Sequence, residues 1–231
     1  MPIPKDKILI IIPALNEATR ISPVITRLLE SGYPKVLVVN DGSSDNTAEV
    51  AIMAGATVIS HVINRGPGAA TQTGFMYARR NNYSALITID ADGQHDVEDV
   101  ENLVQALEGN DVDIVFGSRF LSQNDIPKSR IVFNKIANIF TFLFCGKWVT
   151  DSQSGIKALN KKAFYRLDIH TDGYEFCSEM VIRAHNLDLK STEIPVKVYY
   201  TAQSQAKGQN FFVGVVTAIN LLHNFIFRDN R

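Results

Sequence analysis

Five short runs of almost wholly apolar, largely β-branched residues mark the first half of the chain. They are KILIIIP (residues 7–13), KVLVVND (35–41), ATVIS (56–60), ALITID (85–90) and VDIVFGS (112–118). Runs this short, without polar alternation, predict strands buried on both faces, as in a parallel sheet. Helix-compatible stretches separate them, over residues 19–31, 45–54, 67–81 and 96–108. Pro67 suits a first helical turn, where no N–H is needed. Ser43, Ser44 and Asp45 offer N-caps ahead of helix formers. Strand, helix, strand at this spacing gives right-handed βαβ units and an open α/β sheet. Such sheets bind ligands at the carboxyl ends of their strands.

The second half is less regular. Residues 130–148 and 209–227 are rich in Phe, Ile, Leu and Val, each with one narrow polar stripe. In the first the stripe is Asn134, Asn138 and Thr141; in the second it is Gly214, Thr217, Asn220 and Asn224. The pattern fits a core or dimer-interface helix, or an amphipathic helix lying in a bilayer interface. For residues 209–227 the interfacial helix is the expectation, with a cover from the catalytic domain or a second subunit as the alternative.

Three of the predicted strands end in polar clusters: Asn16 and Glu17, Asn40 and Asp41, Asp90 and Asp92. Parallel strands put all three on one rim, where carboxylates repel each other unless a cation or donor sits among them. Asp90-Ala91-Asp92 is a DxD sequence placed directly after an apolar run. Its oxygens are hard ligands suited to Mg²⁺ or Mn²⁺ carrying phosphate, and Gln94 could add an amide oxygen. His95 could be a further ligand, but a residue at a helix start is more often at the surface. Asp41, before a Gly-Ser turn, is placed to accept hydrogen bonds from a base N–H or a ribose hydroxyl. The loop NRGPGAATQTGF (64–75) is Gly-rich ahead of a helix and could bring backbone N–H groups to an anion. It matches neither GxxxxGK[ST] nor GxGxxG.

Composition narrows the rest. The 231 residues carry 23 basic and 24 acidic side chains, a net charge of −1, so no nucleic-acid partner is expected. Cys145 and Cys177 form no CxxC pair and read as free thiols of a reducing compartment. The first residues lack a signal peptide's apolar core, and no run reaches the roughly 20 apolar residues of a membrane span. A cytoplasmic protein, peripheral on the inner membrane face, is the expectation.

The blocks IIPALNE, VNDGSSDNT, NRGPGAATQTGF, DADGQHDVED, VFGSRF, DSQSGIKALNKKAF and GYEFCSEM occur in the order of those of glycosyltransferase family 2. The chain resembles most the branch with dolichyl-phosphate mannosyltransferase and the bacterial polyprenyl-phosphate glycosyltransferases. The resemblance implies an α/β, glycosyltransferase A-type fold, with a Rossmann-like, mostly parallel sheet flanked by helices. It divides the chain into a catalytic domain (1–208; nucleotide-sugar half 1–118, acceptor half 119–208) and an amphipathic C-terminal helix (209–231). It implies an inverting transfer from a nucleotide sugar, with a divalent metal, to a polyprenyl phosphate, making a lipid-linked sugar. Pro13, Leu15, Glu17, Asn40 and Asp41 would serve the nucleoside, and Gly68 the donor. Asp90, Ala91 and Asp92 would meet the ribose and diphosphate, with Asp92, Gln94 and Asp90 on the metal. Arg119 and Arg130 would bind the lipid phosphate, and Lys207 would close over the diphosphate.

Several positions depart from that family's pattern. Leu15 stands where an aromatic is common, and Pro67 replaces the lysine of an N-R-G-K-G block. An arginine often found ahead of Lys207 is missing, as is a C-terminal pair of membrane-spanning helices. A phosphate acceptor needs no general base; a hydroxyl acceptor would, and Asp151 is the candidate. UDP-glucose is the first-choice donor, with UDP-N-acetylglucosamine and GDP-mannose open. A nucleotidyltransferase would want a basic Gly-rich loop near the N-terminus, which is absent. A non-catalytic nucleotide-sugar binder is the third reading, opposed by the intact DxD.

Overall fold

A computed structural model describes residues 2–109 and 111–199. Lys207, the expected boundary at residue 208 and the expected helix over 209–227 lie outside the described residues.

The five apolar runs form five strands: β1 (Ile8–Ala14), β2 (Val36–Asn40), β3 (Thr57–Ser60), β4 (Ala85–Thr88) and β5 (Ile114–Ser118). The four intervening helices are α1 (Ile21–Glu30), α2 (Thr47–Met53), α3 (Pro67–Arg80) and α4 (Val97–Gly109). Beyond them come α5 (Lys128–Cys145), β6 (Lys157–Asn160), α6 (Lys161–Arg166), α7 (Phe176–Asn186) and β7 (Ser191–Pro195). Among the described residues the sheet has seven strands in the order β3-β2-β1-β4-β6-β5-β7. Of these, β6 alone is antiparallel, inserted between β4 and β5.

Alternation along β1 builds the two halves of the core. Ile8, Ile10 and Ile12 face α1 and α4, where Ile21, Ile25 and Leu28 meet Val100, Leu103 and Leu107. Leu9 and Ile11 face α3, α6 and α7, with Phe75, Phe164, Phe176 and Met180. Each such side chain removed from water contributes roughly 1.5–3 kcal/mol. Gly74 lets α3 approach β1, since a Cβ there would lie 2.5 Å from an Ile11 methyl. Against expectation, β3 is not buried on both faces. Among the described strands only β2 lies beside it, and its side chains are half exposed.

Helix α5 is inside out. Its polar stripe, Asn134, Asn138 and Thr141, is buried, while Val132, Ile136, Ile139, Phe142 and Leu143 are exposed. It packs on α7. The stripe points inward because the loop after α5 offers it hydrogen-bonding backbone: Asn134 Nδ2 and Asn138 Nδ2 each donate to the Thr150 carbonyl at 2.9 Å. Phe142 and Trp148 meet edge to face at 5.9 Å on the outer side.

Candidate active site

Because β1, β2 and β4 are parallel, their polar ends do share a rim. They border a cleft of about 670 Å³. Pro13, Leu15, Glu17, Asp41, Asp90, Ala91, Asp92, Gln94, Arg119 and Arg130 all line it, although 117 residues separate the first from the last. Asn40 and Gly68 are buried behind this lining, and Asp151 lies beneath Arg119.

The floor of the cleft is the DxD loop. The Asp90 carboxylate faces cleft solvent, 52% exposed, with Gly155 packed against its back. A Cβ on Gly155 would sit 2.3 Å from Asp90 Oδ1. Thr88 Oγ1 donates to the Gly155 carbonyl at 2.7 Å and holds that backbone in place. Desolvation raises the pKa of Asp90, opposed by the positive charges of Lys157, Arg119 and Arg130. Desolvation also raises Asp92, and the Asp90 charge adds to it; the Gln94 N–H, 3.0 Å from Asp92 Oδ1, works the other way. Two carboxylates that resist being ionised together form a site that a cation relieves. Among the described residues no three His, Cys, Asp or Glu side chains form a metal cage.

His95 is not a surface residue. It is 8% exposed, with Nε2 3.8 Å from Asp90 Oδ2 and Nδ1 4.0 Å from Asp99 Oδ2. It is buried because the chain returns over it: His95 pairs with Val198 in an antiparallel bridge, and Tyr199 N donates to the Gln94 carbonyl. Burial, then the Arg119 charge, lower its pKa to about 4.

Asp41 uses most of its carboxylate on its own surroundings. Oδ1 accepts from Arg65 N at 3.0 Å and meets His61 Nδ1 at 2.6 Å, while Oδ2 accepts from Gly66 N at 2.6 Å. A carboxylate has about four acceptor positions, so one further donor can be met from the cleft. Asn40 braces the same turn, taking Ser43 N and donating to Ser60 Oγ.

The Gly-rich loop does not offer its helix start to an anion. The N–H of Gly68 donates to the Asp172 carbonyl at 2.8 Å, and Ala69 N points to the same oxygen. A Cβ on Gly68 would lie 2.0 Å from the Thr171 carbonyl oxygen. The glycines at 66 and 68 permit close backbone packing on the 171–173 loop, and Pro67 fits because its position has no donor to satisfy.

Arg119, directly after β5, lines the same cleft. Its Nε and one terminal nitrogen bind the two oxygens of Asp151 at 2.7 and 2.8 Å, and its backbone N–H adds a third bond at 3.0 Å. Asp151 is 2% exposed. Arg130, in the first turn of α5, borders the same cleft. Asp151 thus holds an arginine fork, which is not the setting of a carboxylate waiting for a hydroxyl proton.

Sequence reasoning did not find His61, Arg20, Lys157 or Glu193. His61 follows the third apolar run directly, and that adjacency was the available signal. Arg20 lines the cleft, pairs with Glu17 at 2.5 Å, and its charge works against the rise in the Asp92 pKa. Lys157 is fully buried, donating to the Ser154 carbonyl beneath Asp90; nothing in the sequence marks it.

The comparisons agree with this geometry. A model described as glycosyl transferase family 2 matches residues 9–168. An uncharacterized protein of Methanocaldococcus jannaschii is 37% identical over 96% of this chain and 94% of its own. A UDP-N-acetylglucosamine–dolichyl-phosphate N-acetylglucosaminyltransferase of Methanococcus voltae is 33% identical, covering 94% of this chain and 96% of the relative. The glucosyl-3-phosphoglycerate synthase of Mycobacterium tuberculosis superposes with a TM-score of 0.75 at 19% identity, over 95% of this chain and 78% of the other. That likeness is one of fold, the glycosyltransferase A-type. An acidic rim at the ends of parallel strands, the ordered sequence blocks and these relatives agree: the chain is a glycosyltransferase and belongs to glycosyltransferase family 2.

Proposed function

We propose that the enzyme transfers a hexose from a nucleotide sugar to a polyprenyl phosphate, with inversion at the anomeric carbon, and that UDP-glucose is the donor. The observation that carries the reading is that Arg119 and Arg130 line one cleft together with the DxD carboxylates, their charges acting on Asp90. Arginines beside a carboxylate floor that would hold a cation suit two phosphate groups brought together, one on each substrate. The relatives' names point the same way. One is a dolichyl-phosphate beta-glucosyltransferase of Drosophila melanogaster, 31% identical over 84% of this chain. The Methanococcus voltae relative favours a second donor, UDP-N-acetylglucosamine.

In the reaction a phosphate oxygen of the lipid attacks the anomeric carbon. The bond from that carbon to the donor's β-phosphate oxygen breaks, and the nucleoside diphosphate leaves with the electron pair. The acceptor is already an anion, so no proton has to be removed. Arg119, held flat by Asp151, presents a guanidinium that binds phosphate in fixed orientation, and Arg130 adds a second positive charge. A hydroxyl acceptor with Asp151 as base fits less well, since Arg119 engages both Asp151 oxygens.

The all-oxygen set of Asp92, Gln94 and Asp90 fits a hard cation, Mn²⁺ or Mg²⁺, that completes its shell with phosphate oxygens and water. When bound it would neutralise charge developing on the leaving diphosphate. Lys207 would add to that. Asp41, with one acceptor position left, and the Pro13–Glu17 strand end would receive the nucleoside.

No helix among the described residues is long and apolar enough to cross a membrane. The outward apolar face of α5 supports peripheral attachment to a bilayer, with the lipid tail beside Arg130. The cytoplasmic face is the side on which nucleotide sugars would be met. The test is incubation with radiolabelled UDP-glucose, UDP-N-acetylglucosamine or GDP-mannose, polyprenyl phosphate and Mn²⁺. Label entering the organic phase from UDP-glucose, and lost with chelator, is expected. No organic-phase label from any donor would overturn the reading, and label from another donor alone would replace UDP-glucose.

A further inference from the structure

The loop that carries Asp151 is fixed by side chains from two elements, α5 and β7. From α5, Asn138 is 4% exposed and spends its whole amide on this loop. Its Nδ2 donates to the Thr150 carbonyl at 2.9 Å, and its Oδ1 accepts from Ser152 N at 3.0 Å. The amide therefore brackets Asp151, taking the backbone groups on both sides of it. From β7, Glu193 accepts from Thr150 N at 2.9 Å, from Thr150 Oγ1 at 2.9 Å and from Asp151 N at 3.2 Å. Ser118, next to Arg119, meets Thr150 through their hydroxyls at 2.6 Å. Asp151 has little freedom left, and Arg119 is bound to it through three hydrogen bonds.

A guanidinium must be held to well under an ångström to orient a phosphate for attack. The Thr150 carbonyl also accepts from Asn134 Nδ2 at 2.9 Å, so what rests on Asn138 is chiefly the Ser152 N–H, a buried donor that is costly to leave unpaired. We propose that Asn138 is a positioning residue for Arg119: acting through the Asp151 loop, it sets where the guanidinium meets the acceptor's phosphate. This explains the reversed faces of α5. The helix turns its polar stripe inward to hold the phosphate-binding arginine and leaves its apolar side for a lipid surface. Positioning and lipid contact then reside on one rigid element. The inference rests on the reading of Arg119 as an acceptor-phosphate ligand.

The test is a double-variant cycle of Asn138→Ala and Arg119→Ala, with KM measured separately for polyprenyl phosphate and for the nucleotide sugar. Asn138→Ala is expected to raise the acceptor KM about tenfold, the effect of one buried hydrogen bond, and to leave the donor KM within about twofold. On the Arg119→Ala background the same change should add less than about twofold, because its route of action is gone. Effects that multiply in the double variant, or equal rises for donor and acceptor, would show a merely structural role and overturn the proposal. If Arg119→Ala alone leaves the acceptor KM unchanged, the phosphate reading itself falls and the inference with it. An unchanged acceptor KM in Asn138→Ala beside a raised one in Arg119→Ala overturns the inference alone. Should Asn138→Ala not fold, Glu193→Gln approaches the same loop from the sheet, keeps its shape, and carries the same cycle.

Discussion

Replacing Gly155 with alanine probes the DxD floor with a single methyl group. The φ of Gly155 lies outside the left-handed region, so alanine fits the backbone. The added Cβ, however, would lie 2.3 and 2.4 Å from the two Asp90 oxygens, far inside contact distance. The backbone cannot retreat, because the Gly155 carbonyl accepts from Thr88 Oγ1 at 2.7 Å and the next carbonyl, of Ile156, accepts from Gly117 N at 3.0 Å. Asp90 must yield instead. Moving its carboxylate to ordinary contact takes a shift of about 1 Å, and the open cleft on its other side allows it. A displacement of that size at a substrate-positioning group costs on the order of 10²-fold in rate. Stability should change little, since Gly→Ala at a compatible φ itself contributes about 0.4–1 kcal/mol. The assay is steady-state transfer with calorimetric binding of nucleoside diphosphate, alongside thermal unfolding. Gly155→Ala should keep its Tm within a few degrees while losing donor affinity and turnover. Wild-type turnover would refute the account of Asp90; a large fall in Tm would show that Gly155 serves folding instead.

Asp92→Asn should abolish most transfer in a folded protein, and unchanged turnover at saturating Mn²⁺ would remove Asp92 from the cation site. His95 provides a pH test. Its folded pKa of about 4 lies below the ordinary 6.5, so the unfolded chain takes up a proton that the folded imidazole refuses. Stability is then lost as pH falls from 6.5 to about 4, by about 3 kcal/mol. His95→Gln should flatten urea-unfolding stability across that window, and a variant with the wild-type slope would refute the assignment. Charging the outer face of α5 with Ile139→Glu and Leu143→Glu should reduce flotation with anionic liposomes; equal flotation would place membrane contact elsewhere.

Much of this architecture is written in the pattern of apolar runs. Strands β1, β2, β4 and β5 are covered on both faces, and that burial removes the polar alternation that would have blurred them. The rim was legible for the same reason, since Asp41 and Asp90 end such runs. Strands β6 and β7 were not: KALN is four residues long and starts with Lys157, whose burial depends on the Ser154 carbonyl, while STEIP is only partly buried and has no apolar run. The stripe on α5 could be read as a stripe, but not which way it faced. Its direction is decided by the Thr150 and Ser152 backbone, a partner no periodicity reveals. The sequence left Asp151 either a base for a hydroxyl acceptor or a turn residue, because its arginine lies 32 residues earlier in the chain. The glycines at 66 and 68 could be read as an anion-binding loop or as a tight turn, and the Asp172 carbonyl that takes up the helix start is not visible in the sequence.

The account's central claim is that Arg119 and Arg130 receive a lipid phosphate, and that no base is needed. It is tested most directly by initial rates of sugar transfer to a polyprenyl phosphate and to the matching polyprenol of the same chain length, at equal concentration with donor and Mn²⁺ saturating. The account predicts transfer to the phosphate alone, with the phosphate rate lost in Arg119→Ala. Comparable transfer to the polyprenol, or a phosphate rate indifferent to Arg119, would contradict it.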